Sequence, residues 1–262
     1  MPTRPARGSR MTRLAGTGLV VTAALALSAS ATGAEQSQTA PGAPSAEGAW
    51  TAQILYPVVA RRAPSGSAAP AGRLMHYTAY SRRPQVLMVT GVAGEPSVGA
   101  GGGEQAAAGW VRVQLPRRPN GSSAWVPRDA VTLKRTGLRL VVSIKRKKVE
   151  VWRDGRRIRS FTAAVGTGRT PTPVGSFAIQ DPVPSVGAQR SYLGPYILTL
   201  TAHSTVLKSF MGGRGLVAIH GTNAPGSLGS AVSHGCIRVS NSAVTYLNGI
   251  VRPGTPVEIT KS

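Results

Sequence analysis

Short apolar runs with turn residues between them, rather than long helical patterns, dominate this chain of 262 residues. Over residues 138–144 the apolar side chains recur at every second position, which is the period of a β-strand with one buried face. An Asp-Gly pair at residues 154–155 is typical of a tight hairpin turn. A helix is predicted only over residues 242–248, with Ser240 or Asn241 as its N-cap. The pattern therefore predicts a mainly β fold.

The predicted strands fall into two groups, and we interpret each group as one domain. The first group, within residues 49–134, predicts a small β-barrel, and the second, within residues 137–262, predicts a larger β-rich domain with one short helix. The strands of the first group are predicted at residues 54–60, 74–80, 86–92, 110–115 and 123–133. The strands of the second group are predicted to be mostly antiparallel, at residues 138–144, 149–151, 158–165, 176–180, 196–202, 216–220, 232–239 and 256–260.

Residues 1–34 have the organisation of a secretory signal peptide. Four arginines precede an apolar stretch at residues 14–27, and small residues follow up to Ala31 and Ala34, the two predicted cleavage positions. The apolar stretch is shorter than the roughly 20 residues that cross a bilayer, and an uncleaved N-terminal anchor is the alternative. Residues 35–48 are rich in Ala, Gly, Pro, Ser and Gln and are interpreted as a flexible linker. We expect an exported, extracytoplasmic protein that is associated with the cell wall.

Basic residues greatly outnumber acidic ones, with 31 Lys and Arg against 9 Asp and Glu and a net charge of +22. Because export is predicted, this charge indicates anionic cell-wall polymers and lipid head groups as partners, and no nucleic acid. A composition that is rich in arginine explains the charge equally well. Beyond residue 137 the carboxylates are few and scattered, which argues against a glycosidase pair and a carboxylate metal site. We expect neither a metal nor a cofactor.

Cys236, the only cysteine, lies in the run SHGCIR at residues 233–238, downstream of the run HGT at residues 220–222. Without a partner for an intramolecular disulfide, it is either a free thiol or part of an intermolecular bridge, and its neighbours favour a nucleophilic thiol. A thiol with the ordinary pKa of about 8.5 is mostly protonated at neutral pH. A nucleophilic cysteine therefore needs a base or a positive charge beside it.

His220, His234 and Arg238 are the candidates for that base or charge. In an extended segment His234, Cys236 and Arg238 share one face, while the alternate residues enter the core. His220 is the better candidate for the base, because a neighbouring strand can present it to the thiol, whereas His234 lies on the thiol's own strand. A base also needs a partner for its second ring nitrogen. Because carboxylates are scarce, we expect that partner to be the backbone carbonyl of Gly221.

Further residues near the thiol are candidates for binding substrate. The N–H groups of Gly235 and Cys236 are predicted oxyanion donors, since glycine lets the main chain approach the substrate. Arg238 is a candidate for binding a carboxylate, or else a surface arginine. Tyr192 and Tyr196 either line the site or belong to the core. The predicted oxyanion- or substrate-binding set is Ser233, His234, Gly235, Arg238, Tyr192 and Tyr196.

Two other interpretations of the cluster stay open. One is a structural zinc site, although the spacing of the four possible ligands matches no common zinc pattern. Those four residues are His203, His220, His234 and Cys236. The other is a buried and inert cysteine.

Three runs in the second predicted domain carry a family resemblance, namely TPTPVGSF at residues 170–177, HGT at 220–222 and SHGCIR at 233–238. In this order they resemble the YkuD-type L,D-transpeptidases of bacterial cell walls. The resemblance covers roughly residues 138–260. It implies that the cysteine at position 236 is the acylated nucleophile and that the histidine at position 220 is its base.

Two runs in the first predicted domain, GWVRVQLP at residues 109–116 and RPNGSSAWV at residues 118–126, resemble bacterial SH3-like wall-targeting domains. This resemblance implies that the predicted barrel binds the cell wall. Trp110 and Trp125, the aromatic residues of these runs, are better interpreted as core residues than as a ligand platform.

The transpeptidase resemblance implies acyl transfer between peptidoglycan stem peptides, with a role in cell-wall organisation and cell shape. Cys236 attacks the third residue of a tetrapeptide stem and releases D-alanine, and an amine of a neighbouring stem resolves the thioester. If water resolves it, the same site is an L,D-carboxypeptidase. The resemblance also implies inhibition by carbapenems. A papain-like endopeptidase is disfavoured because no histidine follows Cys236, and a non-catalytic wall-binding protein is the remaining alternative.

Overall fold

Two large β-sheets account for most of the regular structure in a computed structural model that describes residues 41–94, 109–209 and 213–262. The predicted signal peptide at residues 1–34 lies outside the described residues, as does the first part of the predicted linker. Residues 41–48 of that linker form bends and enter the first strand. In the described part of the chain no helix is both long and apolar enough to span a membrane.

The first sheet contains seven strands, and all of its pairings are antiparallel. The hydrogen-bonded order is β3-β2-β6-β5-β4-β1-β7. A short 3-10 helix, Arg128–Ala130, separates the last two strands in sequence. The seven strands are β1 (Ala49–Ile54), β2 (Val58–Arg61), β3 (Pro70–Leu74), β4 (Val86–Ala93), β5 (Trp110–Gln114), β6 (Ser123–Pro127) and β7 (Val131–Thr136).

The remaining strands belong to an eight-stranded sheet and a two-stranded parallel sheet. The smaller sheet pairs β11 (Val165–Gly166) with β15 (Ala231–Ser233). The larger sheet contains β8 (Leu138–Ser143), β9 (Lys148–Arg153), β10 (Arg156–Thr162), β12 (Gly175–Pro184), β13 (Tyr196–His203), β14 (Leu216–His220), β16 (Ile237–Arg238) and β17 (Pro256–Thr260).

The eight-stranded sheet has the order β10-β9-β8-β17-β12-β13-β14-β16. Most of its pairs are antiparallel, but β17 runs parallel to β8 and β14 runs parallel to β16. Two α-helices accompany it, α1 (Ala188–Leu193) and α2 (Asn241–Ile250), and the side chain of Ser240 accepts a hydrogen bond from Ala243 N as the N-cap of α2. Few helices and many strands confirm the prediction of a mainly β chain.

Each large sheet has its own hydrophobic core. In the first sheet Ala52, Val89 and Val113 are among the fully buried residues. In the second sheet the core includes Ile219 and Ile237, and the apolar face of α2 packs against it. Burial of such side chains is the main free-energy gain that holds a sheet of this size together. The division into domains at residues 49–134 and 137–262, and the SH3-like barrel, stay predictions.

Buried hydrogen bonds join the two sheets. The Gln114 side chain of β5 is 4% exposed; its Nε2 donates to Ser176 O at 2.7 Å, and its Oε1 accepts from Thr201 Oγ1 at 2.8 Å. Asp181 of β12 is fully buried and accepts from the backbone N–H groups of Tyr80 and Ser81, at 3.2 and 2.9 Å. Ser81 Oγ also donates to this carboxylate. These contacts fix one sheet against the other, because buried polar groups that lose their partners are costly.

Several predicted element bounds are wrong. The strand predicted at 54–60 is interrupted before β2 near Pro57, which lacks a backbone donor. Residues 75–80 of the strand predicted at 74–80 form bends and turns, with Tyr77 and Tyr80 exposed. The strand predicted at 123–133 is divided by the 3-10 helix. Helix α1 was not predicted, since none of its residues is buried and it has no apolar face to detect.

Candidate active site

The register of two parallel strands brings the predicted nucleophile and base to one face of the sheet. In the β14–β16 pair, Ile219 is the partner of Ile237 and His220 is the partner of Arg238. Cys236 directly precedes β16 and so shares a face with Arg238 and His220. The two isoleucines point the other way and are fully buried in the core. The sheet therefore presents thiol, imidazole and guanidinium together.

His220 is held by the carbonyl that the sequence predicted. Its Nδ1 lies 2.7 Å from Gly221 O, and because a carbonyl only accepts, Nδ1 carries the proton. The residue is 5% exposed. Burial lowers the pKa of the imidazole to about 4; the hydrogen bond to Gly221 opposes this shift, and the positive charge of Arg238 adds to it. At neutral pH His220 is therefore uncharged, with a lone pair on Nε2.

The Cys236 side chain keeps part of its surface open to solvent. Its Sγ lies 4.0 Å from Leu216 O. The protein atoms packed around the sulfur raise the pKa of the thiol above its ordinary value, and a backbone contact from Ala218 and the charge of Arg238 act in the opposite direction. The resting pair is thus a neutral thiol beside a neutral imidazole, and the histidine is suited to accept the proton during attack.

A tight turn presents the thiol, and it corrects two predictions. The strand predicted over 232–239 is interrupted between β15 and β16, where Gly235 has φ +116°, a backbone region that favours glycine. Ser233 Oγ donates to Cys236 O at 2.6 Å and accepts from Gly235 N at 3.1 Å. The Gly235 N–H is therefore already occupied and is not available as an oxyanion donor. Of the two predicted donors, only the Cys236 N–H remains a candidate.

Two threonines of the run at residues 170–177 hold this turn from behind. Thr172 Oγ1 donates to Gly235 O at 2.9 Å and accepts from Gly166 N at 2.8 Å. Thr170 Oγ1 donates to Ser233 O at 3.1 Å. The sequence pointed to this run only through the family resemblance, because contacts across more than sixty residues leave no local pattern.

The shared sheet face forms the floor of a cavity of about 410 Å³. Ile197 and Thr199 of β13, the register partners of His220 and Ala218, continue that floor. The cavity is lined by Gln189, Tyr192, Leu193, Ile197, Thr199, Ser204, Leu207, Gly213, Gly215, Leu216, Val217, Ala218, His220, Asn223, Ser233, His234, Cys236 and Arg238. Most of the predicted site residues therefore reach one cavity.

The two predicted tyrosines separate. Tyr192 of α1 lines the cavity. Tyr196 packs against the hydrophobic core, because Ile197, its neighbour in β13, faces the cavity and successive side chains of a strand point to opposite sides. Tyr196 is therefore a core residue. His234 is exposed at the rim, and its predicted role in shaping the site stays a prediction.

Asn241 was considered from the sequence only as a helix cap, but it supports the base. Its Oδ1 accepts from Thr222 N at 3.0 Å, directly after the Gly221 carbonyl that orients His220. A Cβ on Gly221 would lie 2.1 Å from that oxygen and 2.9 Å from the Cα of Gly194. Only glycine fits this close approach. The helix start and the turn after β14 are therefore built together.

His203, a ligand in the zinc alternative, lies at the end of β13 and is 5% exposed. Its Nδ1 has no hydrogen-bond partner among the described residues. Burial lowers its pKa, and the charge of Arg118 adds to that effect. Over residues 41–94, 109–209 and 213–262 there is no group of three or more His, Cys, Asp or Glu placed to hold a metal ion.

The region around this cavity is similar in sequence to known proteins. Residues 137–259 match the sequence model of the YkuD family, an L,D-transpeptidase catalytic domain. The YkuD protein of Bacillus licheniformis is 38% identical over 122 residues, which are 47% of this chain and 65% of the relative. L,D-transpeptidase 1 of Mycobacterium tuberculosis is 31% identical over 128 residues, 45% of this chain and 49% of the relative. The chain thus spans less than two thirds of the length of these curated relatives.

Two solved L,D-transpeptidase structures show partial structural similarity to this chain. The L,D-transpeptidase LdtMt1 in complex with imipenem gives a TM-score of 0.40 at 18% identity, over 85% of this chain and 96% of that chain. An L,D-transpeptidase from Mycobacterium smegmatis gives a TM-score of 0.38 at 20% identity, over 66% of this chain and 98% of that chain. Both TM-scores lie below 0.5, and the similarity of residues 137–259 to the YkuD family rests on the sequence matches.

Proposed function

We propose that residues 137–259, which match the sequence model of the YkuD family and are similar to the YkuD protein of Bacillus licheniformis, form an L,D-transpeptidase catalytic domain, and that the protein is an exported cysteine transpeptidase that cross-links peptidoglycan stem peptides. The observation that supports this most directly is the pairing of β14 with β16, because His220 is the register partner of Arg238 and Cys236 directly precedes β16. A thiol, a neutral base with a fixed ring and an open cavity are the parts that acyl transfer through a thioester needs.

The first half-reaction forms the acyl-enzyme. Cys236 Sγ attacks the carbonyl carbon of the third residue of a tetrapeptide stem while its proton passes to His220 Nε2. The N–H of Cys236 is the candidate donor to the developing oxyanion. The bond to the terminal D-alanine then breaks, and the nitrogen of that leaving residue takes the proton from Nε2. The products are a thioester on Cys236 and free D-alanine.

The second half-reaction transfers the acyl group. An amine of a neighbouring stem peptide attacks the thioester carbonyl and gives its proton to His220 Nε2. The carbon–sulfur bond breaks, an amide forms, and the proton returns to the sulfur. His220 can accept and return the proton in both half-reactions because Gly221 O, 2.7 Å from Nδ1, fixes the ring and keeps Nε2 free. If water replaces the amine, the product is a free carboxylate and the reaction is that of an L,D-carboxypeptidase.

Arg238 contributes positive charge at the cavity floor. It is the register partner of His220 and lines the cavity with Cys236. Its charge favours the thiolate over the thiol and the neutral over the charged imidazole, both of which suit nucleophilic attack. A guanidinium there also suits the carboxylate of a stem peptide, which it can bind in a two-pronged arrangement.

The location of the protein and the role of residues 49–134 are parts of the same proposal. The first 34 residues act as the export signal, and the net charge of +22 concentrates the protein on anionic wall polymers. The first sheet acts as an SH3-like wall-targeting module. High salt therefore weakens retention on isolated cell walls, because it screens the attraction between surface charges, which reaches only about 10 Å at 0.1 M salt.

Intact mass spectrometry with imipenem tests the nucleophile. Opening of the β-lactam ring by Cys236 adds the whole mass of the drug, so the wild-type protein gains one imipenem mass. Cys236→Ser removes the thiol and gains none. The other matched variant is Ser160→Ala, which changes an exposed hydroxyl residue of β10 outside the cavity lining and keeps the adduct. An unmodified wild type, or a modified Cys236→Ser protein, contradicts the proposal.

A tetrapeptide stem with a labelled terminal D-alanine tests the substrate. Wild-type protein releases the label only if the stem acylates the thiol. Addition of a second stem with a free side-chain amine gives a cross-linked dimer from a transpeptidase and a shortened tripeptide alone from a carboxypeptidase. If imipenem labels Cys236 but neither product forms, the nucleophile stands and the proposed substrate is wrong.

A further inference from the structure

A turn of the first sheet reaches the wall of the cavity. Residues 117–121 lie between β5 and β6, and the described parts of the loop between β13 and β14, residues 204–209 and 213–215, pack against them. Neither the match to the YkuD family, which begins at residue 137, nor the mechanism above uses this turn.

Arg118 is the centre of this contact. Its Nη1 donates to Arg214 O at 2.8 Å, and its Nη2 donates to Ser204 O at 3.0 Å and to Leu207 O at 2.8 Å. One guanidinium thus binds carbonyls from both ends of the loop. The fixed fork of an arginine suits several acceptors at once, which a lysine cannot match.

Asn120 binds the residue that directly precedes the same loop. Its Nδ2 donates to His203 O at 2.8 Å, and its Oδ1 accepts from His203 N at 2.9 Å. The side-chain amide therefore pairs with both backbone groups of the last residue of β13, as a neighbouring strand would. The two contacts from Asn120 and the three from Arg118 hold one segment from one side.

This loop leads into Leu216, whose carbonyl lies close to the Cys236 thiol. Ser204, Leu207 and Gly215 line the cavity. Ser204 N donates to Gly215 O at 2.8 Å, which closes the base of the loop. The next residue, Leu216, places its carbonyl 4.0 Å from Cys236 Sγ. A shift of Ser204 or Gly215 is therefore passed to the wall that a bound acyl donor touches.

We infer that Arg118 and Asn120 are positioning residues of the first sheet that set the wall of the acyl-donor cavity. They touch neither the thiol nor the base and act through the backbone amide of His203 and the carbonyls of residues 203, 204, 207 and 214. The inference rests on the proposed function for its effect on acylation. A misplacement of about 1 Å at such a wall costs up to about 10²-fold in rate.

Two rates on the same protein separate positioning from loss of the nucleophile. Arg118→Ala and Asn120→Ala in the full chain lower the rate of imipenem acylation, Arg118→Ala by up to about 10²-fold. Both leave alkylation of Cys236 by iodoacetamide at the wild-type rate, because so small a reagent needs no cavity wall. Arg118→Lys keeps the charge but reaches fewer carbonyls, so it falls between wild type and Arg118→Ala. Arg112→Ala is the matched control, since that arginine binds Ser123 within the first sheet and keeps both rates.

Amide hydrogen exchange over residues 203–209 tests the contact without any activity. Arg118→Ala and Asn120→Ala speed exchange there by about tenfold, the effect of losing one hydrogen bond to a charged or buried partner. Unchanged exchange overturns the contact, and faster exchange with unchanged acylation overturns the positioning role. A wild-type protein that imipenem does not label overturns the proposed function, while the exchange result still decides the contact.

Discussion

His220 and Arg238 are register partners on the parallel strands β14 and β16, so an imidazole and a guanidinium emerge side by side from the cavity floor. This pairing gives the site its electrostatic character. The guanidinium and burial together keep the imidazole neutral, and the same guanidinium opposes the rise that burial imposes on the pKa of Cys236. The neutral imidazole can accept the proton of the Cys236 thiol during attack, and the charge of Arg238 limits the rise in the pKa of that thiol.

The first prediction assigns the base. His220→Ala lowers the rate of Cys236 acylation by imipenem by about 10² to 10⁴, the usual contribution of general-base catalysis. His234→Ala costs less, because that side chain lies exposed at the rim. Single-turnover labelling followed by mass spectrometry measures both rates. If the larger loss belongs to His234→Ala, the assignment of the base is reversed.

The second prediction concerns the thiol and its neighbouring charge. Because burial raises the pKa of Cys236, the rate of iodoacetamide alkylation keeps rising as pH passes the ordinary thiol pKa of about 8.5. Arg238→Gln removes a charge that favours the thiolate and slows alkylation at pH 7.5 by roughly three- to tenfold, the size of one screened charge at close range. Arg153→Gln, an exposed arginine of β9, keeps the wild-type profile. A plateau below pH 8 in the wild type would show that the thiol is already ionised.

The third prediction links the buried base to stability. The pKa of His220 is about 4 in the folded protein and 6.5 in a model peptide, so the unfolded state binds a proton first as pH falls. Its contribution is fully present above pH 6.5 and is lost between pH 6.5 and 4, by about 3 kcal/mol in total. His203 acts in the same direction, since burial also lowers its pKa.

Urea denaturation at pH 7 and at pH 4.5 measures this loss. His220→Asn removes the His220 part of the dependence of the unfolding free energy on pH and leaves the part that comes from His203, whatever it does to stability at pH 7. His234→Ala is the matched control, and it retains the dependence because His220 is still present. If the unfolding free energies of His220→Asn and wild type depend equally on pH, groups other than His220 cause the acid sensitivity.

The fourth prediction concerns the carboxylate between the sheets. Asp181→Ala removes the buried acceptor of the Tyr80 and Ser81 N–H groups and costs about 2 kcal/mol of unfolding free energy. Asp181→Asn keeps one acceptor and costs about 1 kcal/mol. Asp129→Asn, an exposed carboxylate in the same chain, changes stability by less than about 0.5 kcal/mol. Urea unfolding at pH 7 separates the three, and equal values for Asp181→Ala and Asp129→Asn would contradict the buried contact.

The part of the site that was predictable from the sequence is the part with a local pattern. The alternation around Cys236 placed Ile237 and Val239 in the core, where both are fully buried. The scarcity of carboxylates led to the Gly221 carbonyl as the partner of His220, which lies there at 2.7 Å. Both inferences needed only the two-residue period of a strand and a count of acidic residues. The catalytic roles of these residues stay predictions.

The part that was not predictable depends on distant contacts. The backbone angle of Gly235 breaks the expected strand and turns its N–H toward Ser233. Thr172 supports that turn from 63 residues away, and Arg118 reaches Ser204 across 86 residues. No local propensity reports such contacts. The motif around Thr172 carried a family resemblance, but the turn that contains Arg118 carried one only to a wall-targeting module.

The Gln114 side chain, which bonds to Ser176 and Thr201 at once, has a consequence for how such a chain can be inherited or rebuilt. A recombination event that exchanged the first sheet for an unrelated one would leave the Ser176 carbonyl and the Thr201 hydroxyl of the second sheet without the partner that Gln114 supplies. The two halves of the sequence are therefore expected to be inherited together. An engineered chimera that lacks a glutamine at this position is expected to be less stable than one that keeps it.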